Sequence, residues 1–146
     1  MSDLKNVLLA DDNANDVELT LAALGANRLA NEVVVVRDGA EALDYLCRRA
    51  QYAARERGNP ALLLLDLKMP KVDGLEVLRH VKSDPNLKTI PVVVLTSSRE
   101  EQDLVRSYDL GVNAYVVKPV DFRDFMDAVK LVGGFWAVLN ELPPPR

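Results

Sequence analysis

A chain of 146 residues with a formal net charge of −4, 49% hydrophobic and 27% charged, has the composition of one folded domain and leaves no long disordered arm. Its Lys and Arg residues form no dense basic block, so no nucleic-acid-binding surface is expected. The one cysteine, Cys47, excludes an internal disulfide and a cysteine-built metal site, and no apolar run approaches the ~20 residues of a membrane helix.

The first five residues lack the pattern of a secretory signal, which together with the lone thiol points to the cytoplasm. Residues 7–10 form an apolar run that ends at Asp11 and Asp12. Val17, Leu21 and Leu24, spaced four and three apart, predict a first helix over about 15–27, and residues 33–36 a second strand. Asp38 with Glu41 is a capping pair that opens the second helix, in which the acid at the cap and the Glu three residues on satisfy two free backbone N–H groups reciprocally. Residues 51–59 read as an extension of that helix and then a surface loop ending at Gly58-Asn59-Pro60.

Residues 61–65 form the next apolar run, with Asp66 directly after it, and Asp73 with Glu76 opens the third helix. Residues 92–95 lead to Thr96, and Ser98 with Glu101 opens the fourth helix. Residues 114–117 lead to Lys118 and Pro119. The last helix begins near Asp121 with Phe122, Phe125, Met126, Val129 and Val132 as its core stripe. Leu131, Phe135, Val138 and Leu142 make a second apolar stripe on another face. Gly133-Gly134 is a place for the helix to kink or restart, since each Gly costs a helix interior ~1 kcal/mol, and Pro143-Pro144-Pro145 stops regular structure.

Runs this short, hydrophobic and often β-branched are strands buried on both faces. Alternating with helices, they predict a parallel sheet covered on both sides. A parallel sheet puts all its carboxyl ends on one edge, where open α/β sheets bind ligands, so Asp11, Asp12, Asp66, Thr96 and Lys118 should converge there. Taken singly, each has an ordinary reading as a cap or turn residue, and Ser97 or Ser98 suits either role; what carries weight is one such residue at the end of each strand. Three carboxylates brought together repel unless something neutralises them, and a hard cation such as Mg²⁺ is the natural candidate. Lys118 adds a positive charge and Thr96 a hydroxyl donor, both suited to phosphoryl oxygens, which gives a phosphoryl-transfer site with an aspartate nucleophile.

The acidic pair in Leu-Ala-Asp-Asp-Asn, the run Leu-Leu-Leu-Asp-Leu-Lys-Met-Pro-Lys-Val-Asp-Gly, the Leu-Thr-Ser step and Val-Lys-Pro together resemble the receiver domain of bacterial two-component response regulators, over nearly the whole chain. The resemblance implies a flavodoxin-like α/β fold, a doubly wound five-stranded parallel sheet in the order 2-1-3-4-5 with helices on both faces. It implies that Asp66 is the phosphoacceptor and that Asp11, Asp12 and Asp66 bind Mg²⁺, with Asp12 favoured over Asp11 as direct ligand and the backbone carbonyl of Lys68 completing the set. Thr96 and Lys118 would respond to the phosphoryl group, and Tyr115 matches the family's switch aromatic, although a plain half-buried strand aromatic fits that position too. The long second helix, the segment after Thr96 and the Phe135-Trp136 tail are similar to the stand-alone regulators that accompany bacterial phytochromes. The implied donor is therefore a sensor histidine kinase, of the phytochrome kind.

Residues 1–146 read as a single receiver domain, with a core over about 4–132 and a helix extension and tail over about 133–146. No output domain is expected, so the signal should leave through the surface of the fourth helix, fifth strand and fifth helix. Leu131, Phe135, Trp136 and Val138 are candidates for a homodimer interface, the alternative being that the tail folds back on its own domain. Lys68 and Ser98 are expected to flank the path of the hydrolytic water. His80 is expected at the surface with no role, and Asp73 and Gly74 only make a turn and cap. The chain is not expected to act on outside substrates: a haloacid-dehalogenase-type phosphatase has an acid two residues after its nucleophile, where this chain has Lys68, and no Gly-rich nucleotide loop is present. A degenerate receiver that serves only as an interaction module is the remaining alternative.

Overall fold

The structure is a computed structural model and is described for residues 6–26, 32–55, 58–69, 71–97, 100–101, 103, 105, 112 and 114–131. Five strands, β1 Asn6–Ala10, β2 Glu32–Val36, β3 Leu62–Asp66, β4 Val92–Thr96 and β5 Tyr115–Val117, form one parallel sheet in the order β2-β1-β3-β4-β5. This is the expected flavodoxin-like order, and it leaves β1, β3 and β4 in the interior of the sheet. Every residue of β3 and β4 is buried.

Alternate strand residues divide between two cores, because successive side chains point to opposite faces. Leu8, Leu63, Leu65, Val92 and Val94 face helices α2 (Gly39–Cys47) and α3 (Gly74–Ser83), where they meet Leu46, Val77 and Leu78. Val7, Leu9, Leu62, Leu64 and Leu95 face α1 (Ala14–Ala26) and the C-terminal helix Phe122–Leu131, against Val17, Leu24, Phe125 and Ala128. Each fully buried aliphatic or aromatic side chain contributes about 1.5–3 kcal/mol, which explains why the interior positions of these strands are all apolar.

Helix ends follow the expected chemistry with local differences. Asn13 caps α1, its side chain accepting from the Asp16 N–H at 3.0 Å, so the helix begins slightly ahead of residue 15. Asp38 accepts from the Glu41 N–H at 2.7 Å, whereas Glu41 reaches back one residue further than a capping box requires, to the Arg37 N–H at 3.0 Å. Asp73 accepts from the Glu76 N–H at 2.9 Å, while Glu76 turns to Arg79 instead of capping back. Asp121 caps the C-terminal helix through the Asp124 N–H. The expected cap Ser98 lies outside the described residues.

β3 and β4 include Asp66 and Thr96 as their last residues, so these side chains are fixed by the strands themselves. One expectation is corrected. The segment after α2 neither extends that helix nor merely decorates the surface. Arg48 closes α2 in the left-handed region at φ 54°, its N–H turned to the carbonyls of Asp44 and Tyr45. A short 3₁₀ turn, Ala50–Tyr52, then folds back. The Tyr52 hydroxyl donates to Glu41 at 2.6 Å, its ring meets Tyr45 edge-on at 5.0 Å, and the Arg55 guanidinium lies 4.1 Å from the Tyr45 ring centre while donating to the Tyr45 carbonyl.

In the C-terminal helix Phe125 and Ala128 are buried and Met126 is partly buried, as the core stripe requires. The side chains of Phe122, Val129 and Leu131, and all of Val132, Gly133-Gly134, Phe135, Trp136, Val138, Leu142 and the prolines, lie outside the described residues. Among the described residues no helix is long and apolar enough to cross a membrane.

Candidate functional site

The chain leaves β1 at Asp11, whose N–H continues the sheet by donating to the Val36 carbonyl at 3.0 Å. The Asp11 carboxylate turns inward, fully buried, and accepts from the Asn13 N–H at 3.0 Å, while Asp12 is exposed beside it. Asp66, at the end of β3, is 4% exposed. Carboxylate oxygens of Asp11, Asp12 and Asp66 all lie within 4.8 Å of one another. This convergence is the one expected from a parallel sheet.

Backbone contacts hold Asp66 in place. The Gly74 N–H donates to the Leu67 carbonyl at 2.8 Å, and a Cβ on Gly74 would collide with the Asp66 carbonyl and lie 2.6 Å from Leu67 Cα. A Cβ on Gly39 would likewise collide with the Val72 carbonyl. The first turns of α2 and α3 therefore pack directly on the loop after β3, which only glycine permits. Gly74 supports the site and is more than the turn residue expected from sequence.

Lys118 follows β5, anchored by its N–H to the Thr96 carbonyl at 2.8 Å, and the Lys118–Pro119 peptide is cis. Its Nζ lies 2.8 Å from Asp16, 3.3 Å from Asp66 and 3.4 Å from Asp11. Burial alone would lower the Lys118 pKa, but the Asp16 contact and the charges of Asp66 and Asp11 outweigh it and hold it raised. Asp66 shows the opposite balance: burial first, then the Asp11 charge, push its carboxyl up to about 7 against the lowering pull of Lys118. Thr96 is fully buried at the end of β4.

A groove of about 450 Å³ opens onto this edge, bounded by Asp12, Asp16, Asp66, Ser97, Glu101 and Lys118. Lys68, two residues after Asp66, is exposed and reaches across to Glu101 at 3.2 Å. Burial would raise the Glu101 carboxyl, yet the N–H and hydroxyl of Ser97, and then Lys68, hold it below the usual range. Tyr115 opens β5 half-buried, packs beside the core on the α2 and α3 side and donates its hydroxyl to the Val112 carbonyl at 3.2 Å. His80 lies on α3 away from the groove, with Nε2 3.7 Å from Cys47 Sγ and 4.0 Å from Asp84.

Sequence reasoning did not anticipate Asp16 or a site role for Glu101. Asp16 had a signal, being an acid in the first turn of a helix that starts at the functional edge. From sequence, Glu101 is only the capping partner of Ser98. Chemically, the three carboxylates offer the hard oxygen donors that suit Mg²⁺ or Mn²⁺, and the ammonium beside Asp66 suits a charged oxygen group built onto it.

Comparison with known proteins agrees with this geometry. Residues 7–130 match the response regulator receiver domain. Response regulator Rcp1 of Synechocystis sp. is 40% identical over 147 residues, covering 98% of this chain and 99% of its own. A solved structure of its Mn²⁺-bound form has a TM-score of 0.72 at 38% identity, covering 96% of this chain and 99% of that one. The structure of the bacteriophytochrome response regulator AtBRR has a TM-score of 0.89 at 64% identity, covering 94% of this chain and 99% of that one. The phosphorylated cyanobacterial phytochrome response regulator RcpA has a TM-score of 0.74 at 45% identity, covering 97% and 99%.

Proposed function

The chain belongs to the response regulator receiver family and is related to phytochrome response regulators, and on that premise we propose that Asp66 accepts a phosphoryl group from a sensor histidine kinase. The observation that carries the reading is the meeting of Asp11, Asp12, Asp66 and the Lys118 ammonium at one sheet edge. An Asp66 carboxylate oxygen forms a bond to phosphorus as the phosphorus–nitrogen bond of the donor phosphohistidine breaks and the imidazole departs. Lys118 and the Thr96 hydroxyl stabilise the charged oxygens.

Asp11, Asp12 and Asp66, with the backbone carbonyl of Lys68, would hold Mg²⁺. When bound, the ion neutralises the carboxylates and polarises the phosphoryl oxygens. The donor set suits a hard cation, and the Mn²⁺-bound form of Rcp1 supports this. Tyr115, in the strand beside Thr96, is the residue through which the change at Asp66 reaches the surface. The kinase is a bacterial phytochrome, a reading supported by the similarity of this chain to the bacteriophytochrome response regulator AtBRR and the phytochrome response regulator RcpA. Residues 1–146 act as a single cytoplasmic receiver domain, with no activity beyond its own phosphorylation and dephosphorylation.

Intact-protein mass after incubation with Mg²⁺ and acetyl phosphate, on wild type and Asp66→Asn, tests the reading. A phosphoryl gain that needs both Mg²⁺ and Asp66 is expected; no gain by folded wild type would leave the degenerate interaction module. The apolar spacing of Leu131, Phe135, Trp136 and Val138 further suggests a homodimer. Light scattering that finds only monomer at high micromolar concentration, phosphorylated or not, removes it.

A further inference from the structure

The β4 side of the groove is closed by contacts that phosphoryl transfer to Asp66 does not itself require. Glu101 accepts the Ser97 N–H through Oε1 at 2.9 Å and the Ser97 hydroxyl through Oε2 at 2.9 Å. The same Oε2 lies 3.2 Å from Lys68 Nζ. The Lys68 side chain is 80% exposed and that of Glu101 only 12%, so the carboxylate is the fixed partner and the lysine the movable one. Ser97 directly follows Thr96, and Lys68 lies two residues after Asp66. One carboxylate thus joins the loop after β3 to the end of β4 across the mouth of the groove that Asp66 lines.

A backbone N–H, a hydroxyl and an ammonium are the donors that phosphoryl oxygens seek. Glu101 holds all three in the unphosphorylated protein. A phosphoryl group on Asp66 would bring anionic oxygens into the same groove, where they repel the Glu101 carboxylate and compete for its donors. We propose that Glu101 is an internal anionic latch, a positioning residue that holds the Thr96-Ser97 edge and Lys68 in the resting arrangement and is displaced when Asp66 is phosphorylated. This rests on Asp66 being the phosphoacceptor. The resting arrangement is stabilised by contacts that the phosphorylated one gives up, so removing the carboxylate shifts the population toward the phosphorylated form.

The test follows phosphoryl uptake from acetyl phosphate with Mg²⁺ by time-resolved intact mass on the full chain, as wild type, Glu101→Ala and Glu101→Gln. Uptake transfers phosphorus from the acetate oxygen to Asp66 and releases acetate. Loss of the carboxylate's three charge-assisted contacts should raise the rate about tenfold in Glu101→Ala, and less in Glu101→Gln, which keeps an acceptor oxygen but no charge. Affinity for beryllofluoride, a phosphoryl mimic, measured by fluorine NMR with Mg²⁺, should rise in the same order. A merely structural role would lower both quantities. Rates and affinities unchanged or lower in the variants, beside a wild type that is phosphorylated, overturn the latch alone. A wild type that takes up nothing overturns the Asp66 reading and the latch with it. If Glu101→Ala does not fold, Glu101→Gln decides.

Discussion

Lys118 Nζ sits 2.8 Å from the carboxylate of Asp16 and 3.3 Å from that of Asp66, so the nearest partner of the ammonium beside Asp66 is an acid in the first turn of α1, outside the carboxylate trio of Asp11, Asp12 and Asp66. Asp16 draws the ammonium toward the rim of the groove while Asp11 and Asp66 hold it from within.

Asp16→Asn removes one negative charge and frees Lys118 to move toward Asp66, and both changes make the site less attractive to a cation. The affinity for Mg²⁺ should fall about 3- to 10-fold. Calorimetric titration of Mg²⁺ into wild type and variant checks this, and an unchanged affinity would remove Asp16 from the electrostatics of the site.

With metal withheld, Asp66 holds its proton up to about 7 in the folded protein, against an ordinary 3.8. A carboxyl raised on folding binds its proton more tightly in the native state. Its contribution to stability is therefore fully present below about 4, declines as pH climbs, and is gone above about 7. Urea unfolding in a chelator between pH 5 and 8.5 should show stability decreasing up to about pH 7 and levelling above it, and Asp66→Asn should flatten the slope.

Mg²⁺ must displace that same proton. Below pH 7 its apparent affinity should rise up to about tenfold per pH unit, levelling off above. Proton release on Mg²⁺ addition, read by titrating in buffers of different ionisation enthalpy, should be larger at pH 6 than at pH 8. Equal release at both values would contradict the raised carboxyl.

Gly74→Ala places a methyl against the Asp66 carbonyl and Leu67 Cα, where backbone and not a yielding side chain stands in the way. Stability should fall by at least about 3 kcal/mol in denaturant unfolding. Phosphoryl uptake should drop as well, because the displaced atoms belong to Asp66 and the residue after it. Gly39→Ala should destabilise similarly while leaving Asp66 itself in place.

Arg55→Ala should destabilise by about 1–2 kcal/mol, since it removes the cation over the Tyr45 ring together with the bond to the Tyr45 carbonyl. A thermal melt equal to that of wild type would return residues 50–55 to the role of loose surface.

The sheet was legible in the sequence because strands buried on both faces leave no room for polar residues, so each apolar run ended where its strand did, to within a residue. The meeting of Asp11, Asp12, Asp66 and Lys118 at one edge was legible for the same reason, each of them following a run. The segment after Cys47 was not. Its Ala and Arg content favours helix, and nothing local shows that Arg48 adopts the left-handed conformation or that Tyr52 and Arg55 find Tyr45 and Glu41 behind them. Asp16 and Glu101 escaped because helix caps and acids in first turns are common, and only distances distinguish a partner of Lys118 or Ser97 from a solvated charge.

The two glycine contacts divide the groove mechanically. On the β3 side, backbone rests on backbone at Gly39–Val72 and Gly74–Asp66, with no side chain between to change rotamer and absorb a shift. On the β4 side, Ser97, Glu101 and Lys68 meet only through polar side-chain contacts that solvent or a competing anion can replace. One wall of the pocket is backbone against backbone and the other a set of exchangeable polar contacts, so substitutions in the second can alter the pocket while leaving Asp66 in place.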